Sequence, residues 1–442
     1  MFQSVISLIP MFVRILFTVA FVLIFDLYAY QAVKTLTVDL STVVRRSIRI
    51  SFWVLSISFY IMGLLAMGGY LVHASRTIYV LVTGLFFAMF VAKMLMMIPM
   101  LMEDIYRIGA KIVSFFQAKK ESGASESFLV SRKRFISQIS AGIGGLTFTG
   151  LSYGVIKGAH DYKVHRVNVP IANLPSGFKG LKIGHLSDIH SGSFWDKEAV
   201  KRGVAKLMNE KPDIIFFTGD LVNSLSDEMN EDYIAIFGSL KAPLGVFSIL
   251  GNHDYGDYHQ WPDKTSFGMG NNMQSDKSHM SPMQVANLEK LKSIHAEMGW
   301  DLLLNEHRIL KRGEDSIALI GVENYGARGR FARYGKLDMA YEGTQNYPVK
   351  ILLSHDPSHW DSQVRTEQYK DINLTLSGHT HGAQFGIETA GFKWSPIKYM
   401  YKQWAGIYKE NNQYLYVNRG FGYLGYPGRL GIRPEIGILT LA

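Results

Sequence analysis

The chain has 442 residues, no cysteine, 48% hydrophobic residues and a formal net charge of +9. That length calls for more than one structural unit, and the lack of thiols excludes disulfides, cysteine-ligated zinc and iron–sulfur clusters. Residues 1–160 carry 15 Lys and Arg against 6 Asp and Glu, while the other 282 carry 31 of each sign, so the excess charge belongs to an apolar N-terminal region and no nucleic-acid partner is expected.

Residues 5–28, 51–73 and 78–102 each offer about 20 apolar residues, enough to cross a bilayer. The first holds Arg14 and Asp26 and the third Lys93, charges expected to snorkel or to face a neighbouring helix. A fourth stretch, 135–156, is rich in Gly, Ser and Thr, as helix contacts in membrane bundles often are. Loops 29–50 and 103–134 hold most of the basic residues, whereas 74–77 holds Arg76 alone. Both basic loops are therefore expected in the cytoplasm, which puts the N-terminus outside and, after four spans, everything beyond residue 158 outside as well. If 135–156 lay on the membrane instead of across it, the large domain would be cytoplasmic. No cleavable signal peptide is expected, because the first stretch lacks a basic leader and more spans follow. Ser131-Arg132-Lys133-Arg134-Phe135-Ile136 is similar to a variant twin-arginine export signal, and equally to a basic anchor before a span.

From Val167 short apolar runs alternate with helical periodicity, and residues 165–442 read as an α/β domain behind a transmembrane region of residues 1–160. Strands are expected at Leu181–Leu186, Ile214–Thr218, Val246–Leu250, Ile317–Val322, Val349–Leu353, Leu374–Ser377, Tyr414–Val417 and Ile436–Leu441, and helices at Lys197–Asn209 and Pro282–Met298. Tyr255 to Met283 loses periodicity and suggests a lid or binding loop. Phe392, Trp394, Tyr399, Tyr401, Trp404, Tyr408, Tyr423 and Tyr426 suit either a rim at headgroup level or an ordinary core edge.

Five short clusters follow apolar runs: Asp188-Ile189-His190, Gly219-Asp220, Gly251-Asn252-His253-Asp254, Ser354-His355 and Gly378-His379-Thr380-His381. Strand ends are where α/β sheets place their sites. Each cluster alone is ordinary turn chemistry, but together they offer imidazoles, carboxylates and an amide oxygen without thiolate, a donor set for Mn, Fe or Zn. Two such ions clamp an in-line displacement at phosphorus and make hydroxide available near neutral pH.

These five blocks, in this order, resemble the signature of the calcineurin-like metallophosphoesterases, over about residues 165–442. His381-Gly382-Ala383-Gln384 and the segment from Pro427-Gly428-Arg429 to Pro434-Glu435-Ile436 are similar to a membrane-associated bacterial phosphodiesterase branch. The resemblance implies a β-sandwich flanked by helices, with two divalent metal ions as cofactors. Asp188, His190 and His381 would hold one ion and Asn252, His355 and His379 the other, with Asp220 bridging. His253 would stabilise the transition state or protonate the leaving oxygen, and Asp254 would orient its ring. The expected function is a membrane-anchored phosphodiesterase acting on an envelope or lipid-linked phosphoester outside the cytoplasm. A second reading is a cytoplasmic-face pyrophosphatase of a nucleotide-linked acyl sugar. A third is a receptor or accessory protein whose phosphoesterase domain only binds, which sits poorly with a complete ligand set.

Overall fold

The computed structural model describes residues 20–67, 75–116, 126–264, 276–329 and 331–442. The chain divides into two compact units, Met1–Ile156 and Lys157–Ala442.

The N-terminal unit is helical: α1 (residues 20–36), α2 (Thr42–Met67), α3 (Arg76–Phe116) and α4 (Glu126–Ile156). Among the described residues three helices are long and apolar enough to cross a membrane, those holding Thr42–Ala66, Arg76–Phe115 and Arg132–His160. The start of the expected first span, with Arg14, lies outside the described residues. Lys93 faces a neighbouring helix: its ammonium lies 2.5 Å from Asp26 Oδ1 on α1 and 2.7 Å from Ser56 Oγ on α2, and all three are buried.

The expected loop 103–134 is corrected. Its flanks are helix, because no proline interrupts residues 103–116 and the two helices pair their polar ends. Arg132 bonds Glu103 at 2.7 Å and lies over the Tyr106 ring at 4.2 Å. Deeper in, Gly144 lets α4 approach α3, since a Cβ there would sit 2.3 Å from Met96 Cγ.

The C-terminal unit is a four-layer α-β-β-α sandwich, as the resemblance implied. One six-stranded sheet runs β1 (Lys163–Val169), β14 (Glu435–Leu441), β2 (Lys182–Leu186), β3 (Ile214–Phe217), β4 (Val246–Ser248), β5 (Asp301–Leu302). The other runs β12 (Gly406–Glu410), β13 (Gln413–Val417), β9 (Leu374–Ser377), β8 (Lys350–Leu353), β7 (Asp315–Gly321), β6 (Glu306–Arg312). A small hairpin joins β10 (Ile387–Glu388) to β11 (Lys393–Trp394).

Period-2 alternation sorts the side chains into layers. On β3, Ile214 and Phe216 enter the core between the sheets with Ile351, Leu353, Leu374 and Leu376. Ile215 and Phe217 face outward into the layer of α5 (Lys197–Asn209), α6 (Glu231–Gly238) and α7 (Pro282–Glu297). Leu352 does the same on the second sheet, beneath α8 (Leu337–Tyr341). β2, β3 and β4 are mutually parallel, and so are β8 and β9. All five expected ligand clusters therefore leave the C-terminal ends of parallel strands.

The expected lid is described only at its flanks. Trp261 is buried with its indole N–H on Gly256 O, and residues 265–275 lie outside the described residues. The aromatic segment divides: Tyr401, Trp404 and Tyr423 are core, while Phe392 and Tyr399 are exposed.

Candidate metal centre

Tight backbone geometry presents the clusters. Asp188, His190, Asp220, His379 and His381 all have left-handed backbone, with φ between 48° and 71°. Non-glycine residues rarely hold that conformation, and such strain collects at functional sites. Two glycines make room. A Cβ on Gly378 would sit 1.9 Å from Ser187 Oγ and 2.2 Å from Asp188 Oδ2, and one on Gly251 would sit 2.3 Å from Asp220 Oδ1.

Two donor groups result, Asp188 with His190 and His381, all buried, and buried Asp220 and His355 with half-buried His379. In the first, His190 Nε2 is 3.0 Å from His381 Nε2, which is 3.2 Å from Asp188 Oδ1. In the second, His355 Nε2 is 3.2 Å from Asp220 Oδ2. The same Asp220 Oδ2 lies 3.5 Å from His190 Nε2, so one oxygen stands between the groups. Asn252 Oδ1 joins the second group, 2.8 Å from His379 Nδ1. Ligands about 2.1 Å from an ion at right angles lie about 3 Å apart, which is the spacing seen here.

Hydrogen bonds set which nitrogen faces inward. His355 Nδ1 donates to Thr218 O at 2.6 Å and His190 Nδ1 to Asn223 Oδ1 at 3.1 Å, which makes Nε2 the inward nitrogen of each ring and the one that would offer its lone pair to a cation. His355 Nε2 is buried and makes no well-directed hydrogen bond despite its nearness to Asp220. An inward imidazole nitrogen beside a carboxylate oxygen fits a shared cation, be it proton or metal ion. His381 differs, because Arg429 Nη2 donates to its Nδ1 at 3.2 Å. Ligation through Nε2 would move the proton to Nδ1 and give up that one contact, while Arg429 keeps its bonds to the carbonyls of Gly422 and Gly420.

Burial draws the His190 imidazole down to about 3 and pushes the Asp188 carboxyl up to about 6. Burial also acts on His355, but Asp220 outweighs it and lifts His355 to about 10. Asp220 is held well below the usual carboxylate range, because His355 and His253 overcome its own burial. The positive charge that Asp220 favours on His355 is charge that a divalent ion at the inward nitrogens would supply instead.

His253 lies beside both groups. Its backbone N–H donates to Asp220 Oδ1 at 2.8 Å, and its ring stacks on Tyr258 with centroids 4.2 Å apart. The expected role of Asp254 is corrected. Its carboxylate accepts from the backbone N–H groups of Asp220, Leu221 and Gly251 at 2.8 Å and Val222 at 3.3 Å, so it braces the loops that carry Asp220 and Asn252. The ring is held by Asn223, whose carbonyl accepts from His253 Nδ1 at 2.7 Å. A carboxylate surrounded by backbone donors has no lone pair left to aim at an imidazole.

Sequence reasoning missed Asn223, which positions both His190 and His253. It also missed Tyr258, whose hydroxyl accepts from Asn252 Nδ2 at 2.8 Å, and placed Tyr401 only at a rim or a core edge, although its hydroxyl lies 3.0 Å from His379 Nε2. The spacing Gly219-Asp220-Leu221-Val222-Asn223 was the available signal for the first; the tyrosines meet the site only through the fold.

Residues 12–159 match the family described as probable calcineurin-like phosphoesterase, transmembrane domain, and residues 181–383 match the calcineurin-like phosphoesterase family. A transmembrane protein with metallophosphoesterase domain from Danio rerio is 29% identical over 342 residues, covering 76% of this chain and 68% of that one. An uncharacterized metallophosphoesterase of Bacillus subtilis is 28% identical over 323 residues, covering 71% and 98%. The UDP-2,3-diacylglucosamine pyrophosphatase LpxG of Chlamydia trachomatis is 27% identical over 284 residues, covering 57% and 81%.

Proposed function

We propose, from the premise that this chain is a calcineurin-like metallophosphoesterase with a transmembrane N-terminal region, that it is a two-metal phosphodiesterase acting on a lipid-linked or envelope phosphoester. The observation that carries this reading is Asp220 Oδ2, within 3.5 Å of inward-facing imidazole nitrogens from both donor groups. In it, Asp188, His190 and His381 would hold one ion, Asn252, His355 and His379 the other, and Asp220 would serve both. The ions would supply Lewis-acid neutralisation of phosphoryl charge and lower the pKa of a bound water. The protein's part is to fix the donors and keep their lone pairs inward. Asn223 O holds the Nδ1 proton of His253, so Nε2 is the atom left to exchange a proton with the leaving oxygen. The membrane spans keep the catalytic unit close to amphipathic substrates.

The test is metal content beside turnover. Purified full-length protein with Mn²⁺ is expected to hold two equivalents and hydrolyse a chromogenic phosphodiester. Asp220→Asn should lower occupancy at both positions and lose activity. Two tightly held ions in that variant would contradict the shared-ligand assignment, and no turnover with Mn²⁺, Zn²⁺ or Fe²⁺ would favour a binding role. The likeness to the Chlamydia pyrophosphatase supports a second reading, cleavage of a nucleotide-linked acyl sugar on the cytoplasmic face, which membrane sidedness distinguishes.

A further inference from the structure

We propose that the N-terminal unit holds an anionic phospholipid in a pocket of about 500 Å³ formed by α1 and the first four turns of α2. Its polar end is lined by Arg45, Arg46 and Arg49. Arg45 bonds Val38 O at 3.2 Å, and Arg49 bonds Lys34 O at 3.0 Å and Thr37 Oγ1 at 3.2 Å. Those contacts fix two guanidinium groups against the end of α1 and leave other N–H donors for a ligand. Among the described residues none of the three arginines has a carboxylate partner, although Arg132 and Arg134 of the same unit pair with Glu103 and Asp39. Three uncompensated guanidinium groups around one cavity fit a phosphate.

The rest of the pocket argues for a lipid. Below Arg46 the same face of α2 continues as Ile50, Val54 and Ile57, spaced as helix-surface neighbours and 53, 55 and 52% exposed. Tyr30 and Trp53 pack with ring centroids 5.3 Å apart beside the arginines, where an aromatic pair sits at headgroup level. Cation, aromatic belt and apolar stripe thus follow one another in the order of phosphate, glycerol and acyl chain. A soluble phosphate would use the first and leave the stripe without a partner.

The experiment uses the full chain in neutral detergent, read by native mass spectrometry with dioleoylphosphatidylglycerol, dioleoylphosphatidylcholine and inorganic phosphate. Phosphatidylglycerol should remain bound, with phosphatidylcholine at least about tenfold weaker. Millimolar phosphate should not displace it, and a six-carbon-chain phosphatidylglycerol should bind far more weakly. Each interfacial arginine lost should cost about fivefold, so R45Q/R46Q/R49Q should lose about a hundredfold for phosphatidylglycerol and much less for zwitterionic phosphatidylcholine. The Arg46 side chain bonds none of the described residues, so R46Q tests the point alone if the triple variant does not fold. Equal binding of the two lipids, displacement by phosphate, indifference to chain length or full retention by R46Q would each overturn the proposal.

Discussion

At the scale of single residues, neighbours in the centre have separable work. His253 donates its backbone N–H to Asp220, yet its ring is held by Asn223 and Tyr258 and does not join either donor group. His253→Ala should therefore keep both metal equivalents and lose turnover by about 10²–10⁴-fold, the usual worth of a proton-transferring side chain. Elemental analysis beside a kinetic assay checks it, and a variant short of metal would make His253 a ligand. Away from the centre, Glu435 is fully buried and accepts from Tyr416 Oη at 2.5 Å and from Arg419 Nη1 at 2.5 Å. Burial alone would raise its pKa, but Arg419 outweighs it and holds the carboxyl at about 2 against an ordinary 4.5. A depressed folded-state pKa contributes stability that is full above 4.5 and is lost as pH falls from there toward 2. Glu435→Gln should thus cost on the order of 3 kcal/mol at pH 7, with the gap to the parent narrowing at pH 3. Denaturant unfolding of both proteins at the two pH values decides it, and a gap independent of pH would remove the ion pair from the explanation.

At the scale of elements, what the sequence displayed was burial. β2, β3, β8, β9, β13 and β14 are nearly continuous apolar runs because both faces are covered, and the ligand loops stood out because they interrupt those runs. Of the strands that escaped notice, β10 and β11 form the small hairpin, and β1, β5, β6 and β12 are the edges of the two large sheets. Lys163–Val169 and Glu306–Arg312 are half wetted and mix charge with apolar residues, so neither signature is strong. Tyr258 and Tyr401 were hidden for another reason, since only the folded loops bring their hydroxyls to Asn252 and His379, whereas Asn223 lay three residues past Asp220 and could have been read from that spacing. In the membrane unit three helices converge on one buried cation. Removing one partner of a buried pair strands the other charge, at a cost of about 3–5 kcal/mol, whereas replacing both with apolar groups is near neutral. Lys93→Met should accordingly lower the melting temperature of the detergent-purified protein sharply, and K93M/D26L should recover most of it. A double variant no better than K93M would give Lys93 a partner other than Asp26.

At the scale of the whole molecule, charge and helix length decide the side of the membrane on which chemistry occurs. α3 has 41 residues and runs about 61 Å, roughly twice a bilayer core, so it carries Arg107 and Lys111 well beyond the apolar stretch. Its partner α4 has 31 residues, with Arg132, Lys133 and Arg134 in its first half. The basic ends of both helices therefore belong to one side, and positive charge favours the cytoplasm. We propose that α4 crosses back from there, which would put Lys157 and the catalytic unit outside. The chain has no cysteine, so single cysteines report sidedness without background. Lys201→Cys, exposed on α5, should react with a membrane-impermeant maleimide in right-side-out vesicles, while Val43→Cys, 75% exposed at the start of α2, should react only after permeabilisation. The reverse pattern would put the metal centre in the cytoplasm, where nucleotide-linked sugars are made, and would turn the proposal from an envelope phosphodiester to a pyrophosphate.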